Sequence, residues 1–280
     1  MAAVRIGVSG WSYPSWRGDF YPVGLVQRRE LEYAAQWFGS VELNGSFYSL
    51  QRPSSFRTWH DQTPDDFEFA VKGGRFLTHM KRLREVETPL ANFFASGVLA
   101  LGHKLGPVLW QLPANFGYDE ERLVGFFDLL PRTTGQAARI AEQHDSKVPH
   151  DRALTRAEVD RPIRYALEVR NTGFDSPDAF DLLAEHDIAL VVSDGAGRWP
   201  QLEHPTTDLM YVRLHGHTEL YASRYSGRSL DAWAKKVRSW AAGGRDVYVY
   251  FDNDARGHAP HDAVALSRRV GIAVASSDHG

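Results

Sequence analysis

Short apolar segments alternate along the chain with longer segments whose apolar residues recur at helical spacing. Eight short segments are predicted to be strands: Val4–Ser9, Ser40–Asn44, Phe67–Lys72, Pro107–Leu112, Arg164–Arg170, Ile188–Asp194, Leu209–His215 and Asp246–Asp252. Six longer segments are predicted to be helices: Glu30–Phe38, Pro89–Lys104, Asp119–Leu130, Pro177–His186, Ser229–Ala241 and Pro260–Val270. This alternation is typical of βα units around parallel strands.

Within the predicted strands, apolar and polar residues occupy opposite faces. In the fifth strand, Leu167 and Val169 alternate with Glu168 and Arg170. In a (β/α)8 barrel the apolar set packs against the helices, and the other set points inward and ends at the C-terminal face, where catalysis occurs. We therefore predict an α/β, TIM-type (β/α)8 barrel. Six strands end in such an inward position: Asn44, Lys72, Gln111, Arg170, His215 and Asp252.

An open, doubly wound sheet is the structural alternative, because it also alternates strands with helices. The chain has no glycine-rich dinucleotide fingerprint to support it. We predict one domain over residues 1–280, with a polar excursion at about residues 131–162, where charged residues are frequent and large apolar residues are few.

Composition excludes several kinds of site. The 280 residues include no cysteine, which rules out disulfides, thiolate metal sites and cysteine nucleophiles. With 32 basic and 35 acidic residues, the chain has no overall charge that favours nucleic acid as a partner. No segment has the length and apolarity of a membrane span, and the N-terminus enters a strand-like segment directly, so we expect a cytoplasmic protein.

Several motifs resemble those of a known family. They begin with Gly7, Ser9, Gly10, Trp11, Tyr13, Trp16, Gly18, Phe20, Tyr21 and Pro22, and continue with Glu42, Asn44, Phe47, Tyr48, Phe69, Lys72, Thr78, His79, Arg82 and Leu83. They end with Gly106–Pro113, Phe116, Glu168, Arg170, Tyr211, Arg213, His215, Gly216, Tyr248, Tyr250, Phe251, Asn253, Asp254, Gly257, Ala259 and Ala263. Over nearly its whole length the chain resembles the YecE-like family, domain of unknown function 72. The resemblance implies a TIM-type barrel and brings no established reaction.

The chain departs from the pattern of this family in two places. After Arg170 it carries Asn171, Thr172, Gly173 and Phe174, where the family commonly has a histidine, a serine and an aromatic residue. Asp252 and Asp262 stand where asparagines are usual. Neither of these two positions therefore supplies a side-chain amide.

Three inward-facing residues are the candidates for catalysis. Glu42 and Glu168 could form the pair of carboxylates that glycoside chemistry or proton transfer requires. The alternative is that each carboxylate is paired with a neighbouring cation as an internal brace. His215 is the candidate general acid or base, because histidine has the side-chain pKa closest to neutrality.

The remaining candidates would bind substrate. Lys72, Arg170 and Arg213 suit an anionic group, and a Schiff-base role for Lys72 is the less favoured alternative. Aromatic rings of the first loop could stack on a sugar or a base, or could pack under that loop. The full set of predicted binding residues is Trp11, Tyr13, Trp16, Asn44, Tyr48, Lys72, Gln111, Arg170, Asp194, Arg213, Asp252 and Asn253.

These candidates favour an enzyme of hydrolase or isomerase type that acts on a small anionic, sugar-like or nucleotide-like molecule at the C-terminal face of the barrel. We predict no cofactor and no obligatory metal. One alternative is a metal-dependent phosphodiesterase on nucleic acid, which would use Mg²⁺ or Mn²⁺. Another is a non-catalytic module that binds a ligand or a protein partner through its aromatic residues.

Overall fold

Eight parallel strands, hydrogen-bonded in chain order, close into a barrel in the computed structural model, which describes residues 2–274. The strands are β1 (Val4–Ser9), β2 (Ser40–Leu43), β3 (Glu68–Lys72), β4 (Leu105–Gln111), β5 (Tyr165–Glu168), β6 (Ile188–Asp194), β7 (Leu209–Leu214) and β8 (Asp246–Phe251). Helices connect them, so the predicted (β/α)8 barrel is confirmed. β1 and β6 have their predicted bounds, and the others differ by one or two residues at one end or, in β4 and β5, at both ends.

Nine α-helices are described within residues 2–274. They are α1 (Glu30–Ala34), α2 (Gly45–Tyr48), α3 (Pro53–Asp61), α4 (Glu87–Ala95), α5 (Glu120–Leu129), α6 (Thr134–Ala141), α7 (Pro177–Glu185), α8 (Gly227–Ala242) and α9 (Ala259–Val270). The helices α2, α3 and α6 were not predicted. The helix predicted over Pro89–Lys104 was too long, because Gly97 adopts a left-handed conformation with φ 118° and only a 3₁₀ segment, Val98–Lys104, follows it.

Helix starts follow local capping rules. The Ser176 hydroxyl accepts the Ala179 N–H at the start of α7, and Pro177 occupies the first turn, where no N–H is needed. The Asp119 carboxylate caps α5 in the same way by accepting the Arg122 N–H. These contacts explain why both predicted helices begin within a residue of their observed start.

The chain divides into two compact units, and the first comprises the described parts of Met1–Glu42 and Val191–Gly280. In this unit β1 pairs with β2 and β8, and β7 pairs with β6 and β8. Side chains from three strands meet inside it. The Ser40 hydroxyl lies 2.6 Å from the Tyr250 hydroxyl, and the Tyr211 hydroxyl donates to Glu42 at 2.6 Å. The inward face predicted from residue alternation is therefore present in this unit.

The second unit is Leu43–Leu190. In this unit, successive side chains of β4 point alternately to apolar and polar surroundings. The Trp110 ring packs against Phe93 of α4 and Phe126 of α5. The next residue, Gln111, points the other way and donates to Glu168 of β5 at 2.7 Å. Residue alternation thus sorts the side chains of this unit as predicted.

The polar excursion at residues 131–162 belongs to the second unit and contains α6. The amide of Asn92 on α4 exchanges two hydrogen bonds with Asp145, each of 3.0 Å. The Leu154 N–H donates to the Ala95 carbonyl at 2.8 Å. The excursion is therefore fixed against α4.

Across residues 2–274, no helix combines the length and the apolarity needed to cross a membrane.

Candidate functional site

A fully buried ion pair between Arg213 and Glu42 lies at the centre of the first unit. The Arg213 Nε and Nη2 atoms donate to the two Glu42 oxygens at 2.9 and 2.8 Å. Glu42 also accepts from the Tyr211 and Ser9 hydroxyls, and Arg213 Nη2 donates to Asp252 Oδ2 at 3.0 Å. Both oxygens of Glu42 are occupied by donors. This geometry fits the internal brace that we considered as the alternative role for Glu42.

His215 lies between Arg213 and Asp252. Arg213 Nη1 is 3.3 Å from His215 Nε2, and His215 Nδ1 is 2.9 Å from Asp252 Oδ2. Because a guanidinium only donates, Nε2 is the acceptor in the first contact, and the second contact is a close approach of Nδ1 to the carboxylate. His215 is buried, whereas the Asp252 side chain is 17% exposed. We call these residues, Ser9, Glu42, Tyr211, Arg213, His215 and Asp252, the Arg213 cluster.

Two predicted binding residues, Asp194 and Asn253, hold loops together. Asn253 is buried, and its amide donates to Asp262 Oδ2 at 2.9 Å. Asp262 Oδ2 also accepts the Tyr225 N–H at 3.0 Å, and the Tyr225 hydroxyl donates to Asp194 at 3.0 Å. Asp262 thus acts only as an acceptor in these bonds. A carboxylate therefore fills this position without the amide that is usual in the family.

Asp254 is a buried carboxyl group that was matched to the family motif but not assigned to the site. Burial and the nearby Asp252 carboxylate raise the pKa of Asp254 well above its ordinary value. The Trp16 indole and the Tyr13 hydroxyl favour its ionised form, but neither makes a well-aligned hydrogen bond with it. The signal available in the sequence was its spacing of two residues from Asp252.

A second group of charged residues lies at the carboxyl ends of strands in the second unit. Glu168 is fully buried and accepts from Gln111 at 2.7 Å and from Arg170 Nη2 at 2.9 Å. Lys72, at the end of β3, places its ammonium group 4.3 Å from the centre of the Phe47 ring. The Arg170 side chain is 16% exposed. We call Lys72, His79, Gln111, Glu168 and Arg170 the cationic cluster.

The pKa of His79 reflects both its burial and the charges around it. Burial lowers the pKa of His79, and the positive charges of Lys72, Arg170 and Arg75 add to this effect against the opposing charge of Glu168, so that the pKa is about 4. His79 is therefore neutral at physiological pH, and its Nδ1 lies 2.9 Å from the Thr78 hydroxyl. His79 matched a family motif in the sequence but was not among the predicted site residues.

The aromatic residues of the first loop divide into two groups. The rings of Trp16, Phe20 and Tyr21 are buried against one another, and Phe20 also contacts Phe38. Trp16 therefore offers no ring face to a ligand, and we do not propose it as a binding residue. Trp11 and Tyr13 are partly exposed, and the Tyr13 hydroxyl donates to the Ser9 carbonyl.

Three further positions have local environments that bear on the predictions. Tyr48, in the second unit, is 69% exposed, and Asn44 is partly exposed directly before α2. Asn171 accepts the Gly173 N–H at 2.9 Å and donates to the Ala114 carbonyl at 3.0 Å. Asn171 thus fixes the turn after β5, at the place where the family commonly has a histidine.

Within residues 2–274, no three His, Asp or Glu side chains come together in a way that could hold a metal ion. His215 and Asp252 do approach each other, and Arg213 lies beside both.

Comparison with known proteins places this architecture in a family. The family model "Protein of unknown function DUF72" matches residues 5–279. The chain is 30% identical over 241 residues to the "UPF0759 protein YecE" of Escherichia coli, covering 85% of this chain and 82% of the relative. It is 24% identical over 285 residues to the "UPF0759 protein YunF" of Bacillus subtilis, covering 91% and 90%.

Solved structures show the same fold. A DUF72 family protein from Thermotoga maritima superposes with a TM-score of 0.78 at 24% sequence identity, covering 96% of this chain and 99% of the other. A DUF72 family protein from Enterococcus faecalis superposes with a TM-score of 0.74 at 16% identity, covering 97% of each chain. At these identities the likeness establishes the fold alone.

Proposed function

The chain belongs to the DUF72 family, and we propose that it is an enzyme that acts on a small anionic molecule by acid–base chemistry of hydrolase or isomerase type. The family supplies no reaction, so the proposal rests on the chemistry of the two clusters. Residues of both clusters end or directly follow barrel strands. In (β/α)8 enzymes, catalytic residues come from such strand ends.

The proposed anionic substrate is supported by the positive charges of the cationic cluster. Burial is the first cause of the lowered pKa of His79, and after it the nearby cations lower this pKa against the opposing effect of Glu168. Lys72 and Arg170 supply two of these charges, and the Arg170 side chain is 16% exposed. A neutral His79 adds a hydrogen-bonding group that carries no charge. Together these groups suit a phosphate or carboxylate.

Proton transfer is assigned to His215 and Asp252 in the first unit. The Asp252 carboxylate orients the His215 ring, as carboxylates do in other acid–base pairs, and Arg213 fixes both. Asp252 is the member of this pair with exposed surface. Glu42 and Glu168 are assigned to holding Arg213 and Arg170 in place, because both carboxylates are fully buried and bonded.

Replacing Arg170 with Gln is expected to weaken the binding of inorganic phosphate at least tenfold, because a hydrogen bond to a charged group contributes about 1.5–3 kcal/mol and about 1.4 kcal/mol corresponds to a factor of ten. Titration calorimetry measures this effect, with circular dichroism to verify that the variant is folded. Arg57→Gln, which removes an exposed arginine from α3, is the matched control and should bind phosphate like the parent protein. Absence of phosphate binding by the parent protein would remove the basis of the proposal.

Replacing His215 with Gln should lower kcat while the affinity for the substrate is retained, because the side chain is assigned to proton transfer and not to binding. The measurement is a survey of phosphorylated sugars and nucleotides for turnover, followed by kinetics on any substrate found. Asp252→Asn should show the same split between kcat and KM. Binding without turnover of any of these compounds would instead favour the non-catalytic ligand-binding module.

A further inference from the structure

A large groove lies beside the cationic cluster in the second unit. Its volume is about 570 Å³, within the range of about 300–1,000 Å³ typical of small-molecule sites. It is lined by the segments that follow β2 and β3, by α4 and by Lys147 of the polar excursion. We call it the apolar groove, and its main apolar lining residues are Phe47, Tyr48, Phe76, Leu77, Met80 and Phe93.

The groove exposes apolar side chains that would normally be buried. Within residues 2–274, seven large apolar residues are exposed, and three of them, Tyr48, Leu50 and Met80, line this groove. Tyr48 is 69% exposed and Met80 is 63% exposed. A concentration of exposed apolar surface in one concave place is typical of a binding site.

The charge of the groove indicates what it binds. Its lining contains two basic residues, Arg75 and Lys147, and no acidic residue. The Lys147 ammonium group lies 4.8 Å from the centre of the Phe76 ring, and the Lys147 N–H donates to Asp145 at 2.9 Å. Asp145 is in turn bonded to Asn92 of α4. These contacts hold Lys147 at the groove. The two basic residues of the lining favour a ligand that carries a negative charge.

The groove and the cationic cluster share structural elements. Phe47 lines the groove and also contacts Lys72 and His79 of the cluster. The centres of the Phe47 and His79 rings are 5.2 Å apart. A single π-helical turn, Phe76–Met80, supplies apolar residues to the groove and His79 to the cluster. Such turns are frequent at functional sites. One ligand could therefore contact both places.

We propose that the apolar groove binds an aromatic group of the same molecule whose anionic group is held by the cationic cluster. This inference rests on the proposed function and narrows its substrate to an aromatic phosphate or carboxylate. A nucleotide base fits this class, whereas an unsubstituted sugar phosphate does not. The exposed Tyr48 ring, with Phe47 and Phe76 in the same lining, provides aromatic surface against which an aromatic group packs.

The probe that tests the proposal is 1-naphthyl phosphate, compared by calorimetry with inorganic phosphate and with the neutral 1-naphthalenemethanol. The naphthyl phosphate should bind the parent protein at least tenfold more tightly than either. Replacing both Tyr48 and Met80 with Ser should remove that advantage and leave the affinity for inorganic phosphate unchanged. Arg170→Gln should weaken the binding of both phosphates. Val159→Ser, which changes another exposed apolar residue of the second unit, is the matched control.

The outcomes separate this inference from the proposed function. If inorganic phosphate binds but the naphthyl group adds nothing, the groove proposal is overturned and the anion site stands. If 1-naphthalenemethanol binds as tightly as the phosphate ester and Arg170→Gln has no effect, the groove acts independently of the cluster and the proposal also fails. It fails too if sedimentation shows a dimer that the Tyr48 and Met80 substitutions dissociate, because the groove would then be occupied by a second copy.

Discussion

Replacing Arg213 with Met is expected to lower the free energy of unfolding by about 3–5 kcal/mol, the usual cost of removing one partner from a buried ion pair. The guanidinium donates to Glu42 and Asp252 and lies beside His215, and its side chain is fully buried. Methionine would leave the Glu42 carboxylate buried with only the Ser9 and Tyr211 hydroxyls as donors. Two hydroxyls cannot replace a bidentate guanidinium.

Urea unfolding, followed by circular dichroism, measures this loss. Arg256→Met is the matched control, because Arg256 pairs with Glu219 at 3.3 Å while both side chains are largely exposed, and exposed pairs contribute about 0–1 kcal/mol. The double variant Arg213→Met, Glu42→Gln should lose less stability than the sum of the two single variants, because it leaves no unpaired carboxylate at position 42. A loss below about 1 kcal/mol for Arg213→Met would show that other groups hold the cluster together.

The barrel could be predicted from the sequence because it depends on local periodicity. Alternation of apolar and polar residues along each strand identified its two faces, and Trp110 and Gln111 show the result on adjacent residues. Two of the unpredicted helices, α3 and α6, bury few large apolar residues. α3 buries only Pro53 and Phe56, and α6 presents mainly alanines to the core. Helices of this kind are easily missed when helices are sought as segments rich in large apolar residues.

The inward positions of these strand residues could be predicted from the sequence, but their pairings could not. Alternation placed Glu42, Arg213 and Asp252 on inward faces, but the choice of partner depends on the register between strands that are far apart in sequence. Burial of aromatic residues has the same limit. The sequence predicted both Trp16 and Tyr48 as binding residues. Contacts with other rings of the first loop bury Trp16, whereas Tyr48 is exposed.

Replacing Asp254 with Asn is expected to stabilise the protein at pH 8, because the native protein then has no acid at this position that loses a proton as the pH rises. Asparagine has the same shape as the carboxyl group but never becomes charged. The charge is unfavourable here because Asp254 is buried and lies near the Asp252 carboxylate. Its partial compensation by Tyr13 and Trp16 does not reverse the sign, since the pKa of Asp254 remains well above its ordinary value.

The pH dependence distinguishes this effect from simple repacking around Asp254. Because its pKa is raised on folding, the native state keeps a proton that the unfolded state has lost above about pH 4, the ordinary range of an aspartate pKa. The resulting stabilisation is present below that pH and is lost as the pH rises through the higher native pKa. Asp254→Asn abolishes this loss, so the two proteins should be almost equally stable near pH 4 and should diverge as the pH rises. Urea unfolding at a series of pH values measures the difference, with the exposed Asp208→Asn as the control for removal of a negative charge. A stability difference that does not change with pH would mean that the Asp254 carboxyl group titrates alike in the folded and unfolded chain.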